Sequence, residues 1–360
     1  MIGARLKLAR AAAGLSLREL EDRLQSVVTA QAVGKYERDE MMPSSDVLIA
    51  LAKALNVSIA YLMSPGSVDL VGVEFRKKEL TSAKDTAEVR ARILSEVERY
   101  IVIEQILAIE PRQVFLDSQR PEIHTLEDAE DAALRLRNLW KLGGDPIPNL
   151  CEFLEEKGIK VLALNLPESV SGVQASVSPS KGHTLPVIVV NSRHAGERQR
   201  FTMSHELGHL YLKVEGGLNV EKACNRFAGA FLVPKEMILR EVGGYRKSIA
   251  VRELFQLKRR FGTSAQAIVY RCKDLGIISQ SLYAQIFKVF NVKQWKLKEP
   301  MELPAERPAR FERLCLRALS EGVISEAKAA ELLRMSVHKL QKFLDQTPEG
   351  DAVSGHPSGV

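Results

Sequence analysis

Apolar residues recur at helical spacing through the first sixty residues. Ile2, Leu6 and Leu8 mark one short amphipathic helix; Leu15, Leu17, Leu20 and Leu24 lie in and before a second; Val47, Leu48, Leu51, Ala54 and Leu55 mark a later one. Ser16, three residues before Glu19, has the spacing of a capping box, and Gly14 breaks the preceding helix. Thr29 can cap another helix that runs through Glu37, and Pro43-Ser-Ser marks the next break. An all-helical domain over 1–65 follows, with Ser64-Pro-Gly-Ser read as a linker. Between about 84 and 109, Val89, Ile93, Val97, Ile101 and Leu107 form a stripe that either pairs two copies of the chain or packs within one. The span 66–127 is therefore expected to be linker and long helix.

Near residue 128 the pattern becomes mixed. Helical runs through Leu134 to Trp140 and Leu150 to Lys157 precede three strand-like runs, Lys160-Val-Leu-Ala-Leu, Gly172-Val-Gln-Ala-Ser-Val and Leu185-Pro-Val-Ile-Val-Val-Asn. Helical periodicity resumes at about 197 and lasts to about 290, so 128–295 reads as an α+β domain with a small sheet. A Pro-rich, charged stretch from Lys296 to Pro308 separates a last helical module, 309–345, from this domain, and 347–360 reads as a disordered tail. The expected fold is multi-domain and mainly α, with one α+β domain.

Composition narrows the classes. The 360 residues are 45% apolar and 27% charged, the balance of a globular chain. No apolar run approaches the eighteen or so residues of a spanning helix, so no membrane partner is expected. The start, Met1-Ile-Gly-Ala-Arg-Leu-Lys, has charges where a signal peptide's apolar core should run, which makes the cytoplasm the expected address. Cys151, Cys224, Cys272 and Cys315 form no C-x-x-C pair and read as reduced thiols. A net charge of +6 permits a polyanionic partner without identifying one.

The sharpest chemistry lies in Arg200-Phe-Thr-Met-Ser-His-Glu-Leu-Gly-His, which contains H-E-x-x-H. Residues four apart share a helix face about 6 Å apart along the axis, so His205 and His209 can clamp one zinc ion. Glu206 is placed to take a proton from an activated water and pass it to a leaving amine. Gly208 leaves room beside the metal. A catalytic zinc takes three protein ligands. Glu221 is the best third ligand on the residues alone; Glu215, beside Gly216-Gly217, competes, and Cys224 could also face the metal or be a small buried thiol. Tyr211, His183, His194 and Arg226 lie near enough in sequence to serve an oxyanion, though each reads more readily as structural. The strand Val187 to Val190 could receive a peptide as an added strand.

The strand ending at Asn191, Arg200-Phe-Thr before His-Glu-Leu-Gly-His, and Glu221-x-x-x-Asn225-x-Phe227-Ala228 leading to Leu-Val-Pro234 together resemble the ImmA/IrrE family of zinc metallopeptidases. The resemblance covers about 128–290. It implies a gluzincin-like site with one Zn2+ per chain, His205, His209 and Glu221 as ligands and Glu206 as base. It also implies a transcriptional repressor as protein substrate. Ser204 and Cys224 stand where the family usually has Ala.

Ser16 to Leu24 and Thr29 to Glu37 have the arrangement of a helix-turn-helix. Thr29, Ala30, Gln31, Gly34 and Lys35 make a small face on the second helix; Gln pairs with an adenine edge, and Lys reaches guanine or a phosphate. Arg5, Arg10, Arg18 and Arg38 are candidate phosphate contacts. Residues 1–40 hold seven basic against six acidic side chains, so charge does not separate DNA binding from a protein-contact bundle. Leu15-Ser-Leu-Arg-Glu-Leu, Val33-Gly-Lys-Tyr-Glu-Arg, Met42-Pro-Ser-Ser-Asp-Val-Leu and Leu51-Ala-Lys-Ala-Leu-Asn-Val-Ser resemble the Cro/cI-type (XRE) helix-turn-helix family. That resemblance implies a homodimer on a pseudo-palindromic duplex operator. Leu254 to Arg271 and Ile324 to Leu340 repeat the outline, with packing or dimer contact expected for both ahead of DNA contact.

The function expected is a DNA-binding regulator whose zinc endopeptidase domain cuts a regulatory protein, either a repressor or the chain itself. The alternative is a transcription factor whose peptidase-like domain senses zinc, a ligand or a partner without turnover, in a phage or toxin-antitoxin setting. Glu206 favours the enzyme, since a sensor needs no base.

Overall fold

The structure, a computed structural model, describes residues 2–63, 70–75, 83–110, 120–179, 184–295 and 298–346. Five helices open the chain: α1 (Gly3–Ala12), α2 (Leu17–Arg23), α3 (Ala30–Glu37), α4 (Ser45–Leu55) and α5 (Ile59–Met63). Strand β1 (Leu70–Phe75) and the long α6 (Ala83–Ile106) precede β2 (Glu122–Ile123), α7 (Leu126–Leu139) and α8 (Leu150–Glu156). Then come β3 (Lys160–Leu164), β4 (Gly172–Pro179), β5 (Leu185–Asn191), α9 (Gly196–Tyr211), β6 (Lys213–Val214) and α10 (Val220–Leu232). Helices α11 (Lys235–Val242), α12 (Val251–Phe261), α13 (Ala265–Asp274), α14 (Gln280–Val292), α15 (Arg310–Ser320), α16 (Glu326–Leu332) and α17 (Val337–Asp345) complete it. Among the described residues no helix is long and apolar enough to cross a membrane. The tail from 347, the Ser64-Pro-Gly-Ser linker and His183 lie outside the described residues.

The chain divides into two compact units, Met1–Val68 with Glu98–Glu110 and Arg310–Val360, and Asp69–Val97 with Pro111–Ala309. In the first, the Ser16 hydroxyl accepts from Glu19 N while the Glu19 carboxylate accepts from Ser16 N, the full capping box. Thr29 caps α3 through Ala32 N. The apolar stripes of α1 to α5 close over Leu6, Leu20, Val33, Leu51 and Leu62, all at zero exposure. A second core joins Tyr100 and Ile103 of α6 to Leu314, Cys315, Ala329 and Leu340. The 309–345 module is thus built on α6, and burial pushes its Cys315 thiol up to about 12. Val89, Ile93, Val97 and Ile101 of α6 are buried within the single chain, which meets the intrachain alternative for that stripe.

The second unit holds a four-stranded sheet in the order β1-β4-β5-β3, with β3 parallel to β5 and the other pairs antiparallel. A two-stranded parallel ribbon pairs β2 with β6. The three expected strands form, while β1 adds a strand to the span read as linker and long helix. Every residue of β5 is buried, and β3 and β4 occupy both its edges. The expectation that substrate adds to Val187–Val190 is therefore corrected: its backbone groups are already paired, and the edges are β1 and β3.

The Pro-rich stretch after 296 does not act as a spacer. Glu299 accepts from Ala265 N and Gln266 N at the start of α13 and from Lys258 Nζ, and Gly196 N donates to Leu303 O. The Glu306 carboxylate accepts from Cys151 N at 2.8 Å and pairs with Arg200. Gly196 must be glycine, because a Cβ there would lie 2.0 Å from Pro304 O. It separates the last helical module, as its proline and charge suggest, and it also packs on its own unit, because two of its carboxylates have buried partners.

Candidate metal centre and nucleic-acid interface

Helix α9 lies under the sheet against β4 and β5 and carries H-E-x-x-H as one continuous helical turn. Helix α10 packs along it, closely enough that a Cβ on Gly208 would meet Cys224 Cα at 3.3 Å and Phe227 Cδ1 at 3.2 Å. The expected role of Gly208 is corrected accordingly: it admits α10 rather than making room at the metal. This approach brings Glu221, in the first turn of α10, to the two histidines. His205 Nε2 and His209 Nε2 lie 3.1 Å apart, Glu221 Oε2 lies 3.2 Å from His205 Nε2, and Glu221 Oε1 lies 3.6 Å from His209 Nε2.

These separations suit the donor set of a zinc site. Two ligand atoms 2.0–2.1 Å from an ion at the tetrahedral angle stand about 3.3 Å apart, and three such atoms here span no more than 4.8 Å. The outer ring nitrogens are also occupied. His205 Nδ1 lies 2.9 Å from Asn225 Oδ1, an acceptor, so the proton sits on Nδ1 and Nε2 keeps its lone pair. Cys224 Sγ lies 3.4 Å from His209 Nδ1, on the side of the ring away from Glu221. Burial lowers the His205 pKa, against the opposing pull of Glu221 and Asn225, so the ring stays neutral further into acid than a free histidine. Glu215 is exposed and pairs with Lys213 at 3.4 Å, apart from this cluster. Glu206 is buried on α9, and a Cβ on Gly172 of β4 would lie 3.7 Å from its Cγ.

The chain matches the IrrE N-terminal-like domain of the M78 peptidases over residues 154–273. It carries an IrrE-like peptidase domain. A second match, to the helix-turn-helix family, covers residues 6–62. No curated protein matches the chain.

Within the IrrE-like domain the family pattern acquires physical roles. Asn191 at the end of β5 donates from Nδ2 to Val170 O at 2.9 Å and to Pro167 O at 3.1 Å, pinning the loop that returns to β4. Arg200 fixes α9 through Ile147 O at 2.7 Å and through Glu306. Helix α10 is held from its far side. Arg137, fully buried, donates to Phe231 O, Gly143 O and Asp145 O, and burial lowers its pKa to about 10. Arg271 donates to Val233 O at 2.9 Å and forms a bidentate pair with Glu130, which Arg226 joins at 2.7 Å. Burial alone would raise the Glu130 pKa, but these two guanidiniums hold it below the usual carboxylate range.

Two of the oxyanion candidates have partners elsewhere. Arg226 is committed to Glu130 and Asp274, and Tyr211 lies in the core against Phe227. His194 lines a cavity of about 770 Å³ that also includes Phe201, Asn225, Gly229, Tyr270 and Tyr283. Phe201 is one turn before His205 and Asn225 one turn after Glu221, but His205, Glu206, His209 and Glu221 are not among the residues that line this cavity.

In the helix-turn-helix domain α2 and α3 are joined by 24–29, with Gln25 and Ser26 in the left-handed region at φ 52° and 59°. Thr29, Gln31, Lys35 and Arg18 are exposed and Ala30 is half-buried, but Gly34, expected on the same exposed face, is buried. Arg38 is exposed and paired with Glu40 at 2.6 Å. Two of the arginines expected at phosphates serve the fold. Arg5 is buried against Glu98, and Arg10 is bidentate to Glu37 and donates to Leu15 O, because each faces the core side of α1.

Proposed function

We propose that this protein is a DNA-bound regulator whose IrrE-like domain hydrolyses a peptide bond in a regulatory protein, with a repressor as substrate. The observation that carries the reading is the convergence of His205, His209 and Glu221 within 4.8 Å on α9 and α10, with Glu206 buried one residue after the first of them. Zinc held by those three side chains would polarise the scissile carbonyl and lower the pKa of a water. Glu206 accepts the proton of the attacking water and delivers it to the departing amine nitrogen. Asn225 and Cys224 orient the two imidazoles.

On the DNA side, Gln31 and Lys35 read base edges in the major groove, with Thr29 and Ala30 small enough for close approach. Arg18 and Arg38 contact phosphates, Arg38 exchanging its exposed Glu40 partner for the backbone. Two copies on a pseudo-palindromic operator give the arrangement such motifs use. The test compares cells expressing wild type or Glu206→Gln by mass spectrometry of new protein N-termini. A set of cleavages present only with wild type supports the reading, and identical N-termini in both, the chain's own included, overturn it.

A further inference from the structure

We propose that α16 and α17 form a second helix-turn-helix and that α17 contacts duplex DNA, giving each chain two recognition helices; this rests on the reading of α3 as a DNA-binding helix. Helix α16 has seven residues, α17 has nine, and only 333–336 join them. Arg334 turns the chain at φ 53°, the left-handed position such a connection requires. The inward positions are apolar and small where the helices cross: Ala329, Ala330 and Leu340 are buried, with Leu333, Met335 and Phe343 partly buried around them. In α2 and α3 the same duty falls to Leu20, Leu24, Val33 and Tyr36, around left-handed Gln25 and Ser26.

The outward face of α17 is mixed, with Lys339 and Lys342 beside the exposed apolar Val337 and Leu344, and Gln341 donates from Nε2 to Glu326 Oε2 at 2.8 Å. Ser336 caps α17 through Lys339 N, and Val337, His338, Lys339, Gln341 and Lys342 are all exposed on a helix whose single acid is its last residue, Asp345. Lysines suit phosphates and His suits a base edge, and Gln341 would exchange its Glu326 partner to reach one. Residues 310–346 hold seven Lys or Arg against five Asp or Glu, so the field is at least not opposed to a polyanion.

The other repeat of the outline, α12 and α13, fails the same inspection. Gly262 makes its turn at φ 63°, but Ala265, Ile268, Val269, Arg271 and Cys272 of α13 are buried and Lys258 of α12 is enclosed by Glu197 and Glu299. Most of the apolar side chains of its two helices are packed in the IrrE-like domain. The α16–α17 pair instead shares a scaffold with the N-terminal motif. Arg5 of α1 pairs with Glu98 of α6, and the next residue, Arg99, donates to Leu332 O at the end of α16, with Tyr100 against Phe311 at 5.6 Å.

The experiment uses the full chain and a duplex selected by the wild type from a random pool. Hydroxyl-radical footprints and the salt dependence of affinity are compared for wild type, Gln31→Ala/Lys35→Ala and Lys339→Ala/Lys342→Ala, with Lys339→Gln/Lys342→Gln as the second α17 variant and circular dichroism as the control for folding. The α17 variants are expected to lose one part of the footprint and keep another, to bind roughly tenfold more weakly, and to have a salt slope shallower by about 2. Unchanged footprint, affinity and slope in folded α17 variants overturn the inference while a defect in the α3 variant leaves the proposed function standing. An α17 effect on oligomeric mass alone, with DNA binding intact, also overturns it. Failure of the wild type to select any duplex removes both readings together.

Discussion

His205 and His209 reach one point because a helix repeats every 3.6 residues, and that much is legible in the sequence as H-E-x-x-H. The choice of Glu221 over Glu215 needs α10 to lie against α9, which no local pattern states. Asn225 and Cys224 were missed as positioning residues for the same reason, although they stand four and three residues after Glu221 on the face it occupies. Replacing Glu221 by Ala should reduce zinc affinity far more than replacing Glu215 by Ala, measured by competition with a chromogenic chelator. The reverse order would move the third ligand. Glu206→Gln should retain zinc and thermal stability while abolishing proteolysis. For Glu130 the sign follows from its lowered pKa: the stability it contributes is present above the ordinary glutamate value and is lost as pH falls through its folded value. The melting temperature of Glu130→Gln should therefore fall below wild type at neutral pH, and the gap should narrow in acid. A gap that widens in acid would contradict the assigned pairing.

Elements with strong periodicity declared themselves. The capping box of α2, the strands β3 to β5 and the helices α15 to α17 follow from patterns of three to ten residues. Strands β2 and β6 have two residues each, too few to show a period, and β1 pairs with β4 about a hundred positions later in the chain. The packing of the strap over 298–306 was not legible, because proline and charge are visible in sequence and their partners are not. Lys258 Nζ, at zero exposure, holds Glu197 at 2.6 Å and Glu299 at 3.1 Å, joining α12, the start of α9 and the strap. Lys258→Met leaves two buried carboxylates without their cation, so unfolding free energy should drop by about 3–5 kcal/mol in chemical denaturation. A loss below about 1 kcal/mol would show that the cluster is relieved by solvent. In the N-terminal domain, Gln31→Ala/Lys35→Ala should weaken operator binding in a gel shift and leave metal content unchanged.

At the scale of the molecule, the two candidate activities belong to different compact units. The metal ligands lie in 111–309, and α3 lies in 1–68. Metal bound only by the folded state stabilises that state, by about 4 kcal/mol when free zinc exceeds its dissociation constant a thousandfold. Chelation should therefore lower the melting of the IrrE-like domain and leave DNA binding by the helix-turn-helix domain in place, which calorimetry and gel shifts on the same sample would show together. The compact units divide within α6 and at 110 and 309 rather than at the change in pattern near 128, and the joining of the C-terminal helices to α6 depends on contacts such as Arg99 to Leu332, more than two hundred residues apart, which no local pattern shows. Elemental analysis of zinc per chain, in purified wild type and in His205→Ala, tests the metal centre itself. One zinc in the wild type and none in the variant is the expected result; equal zinc in both, or none in the wild type after loading, would contradict it.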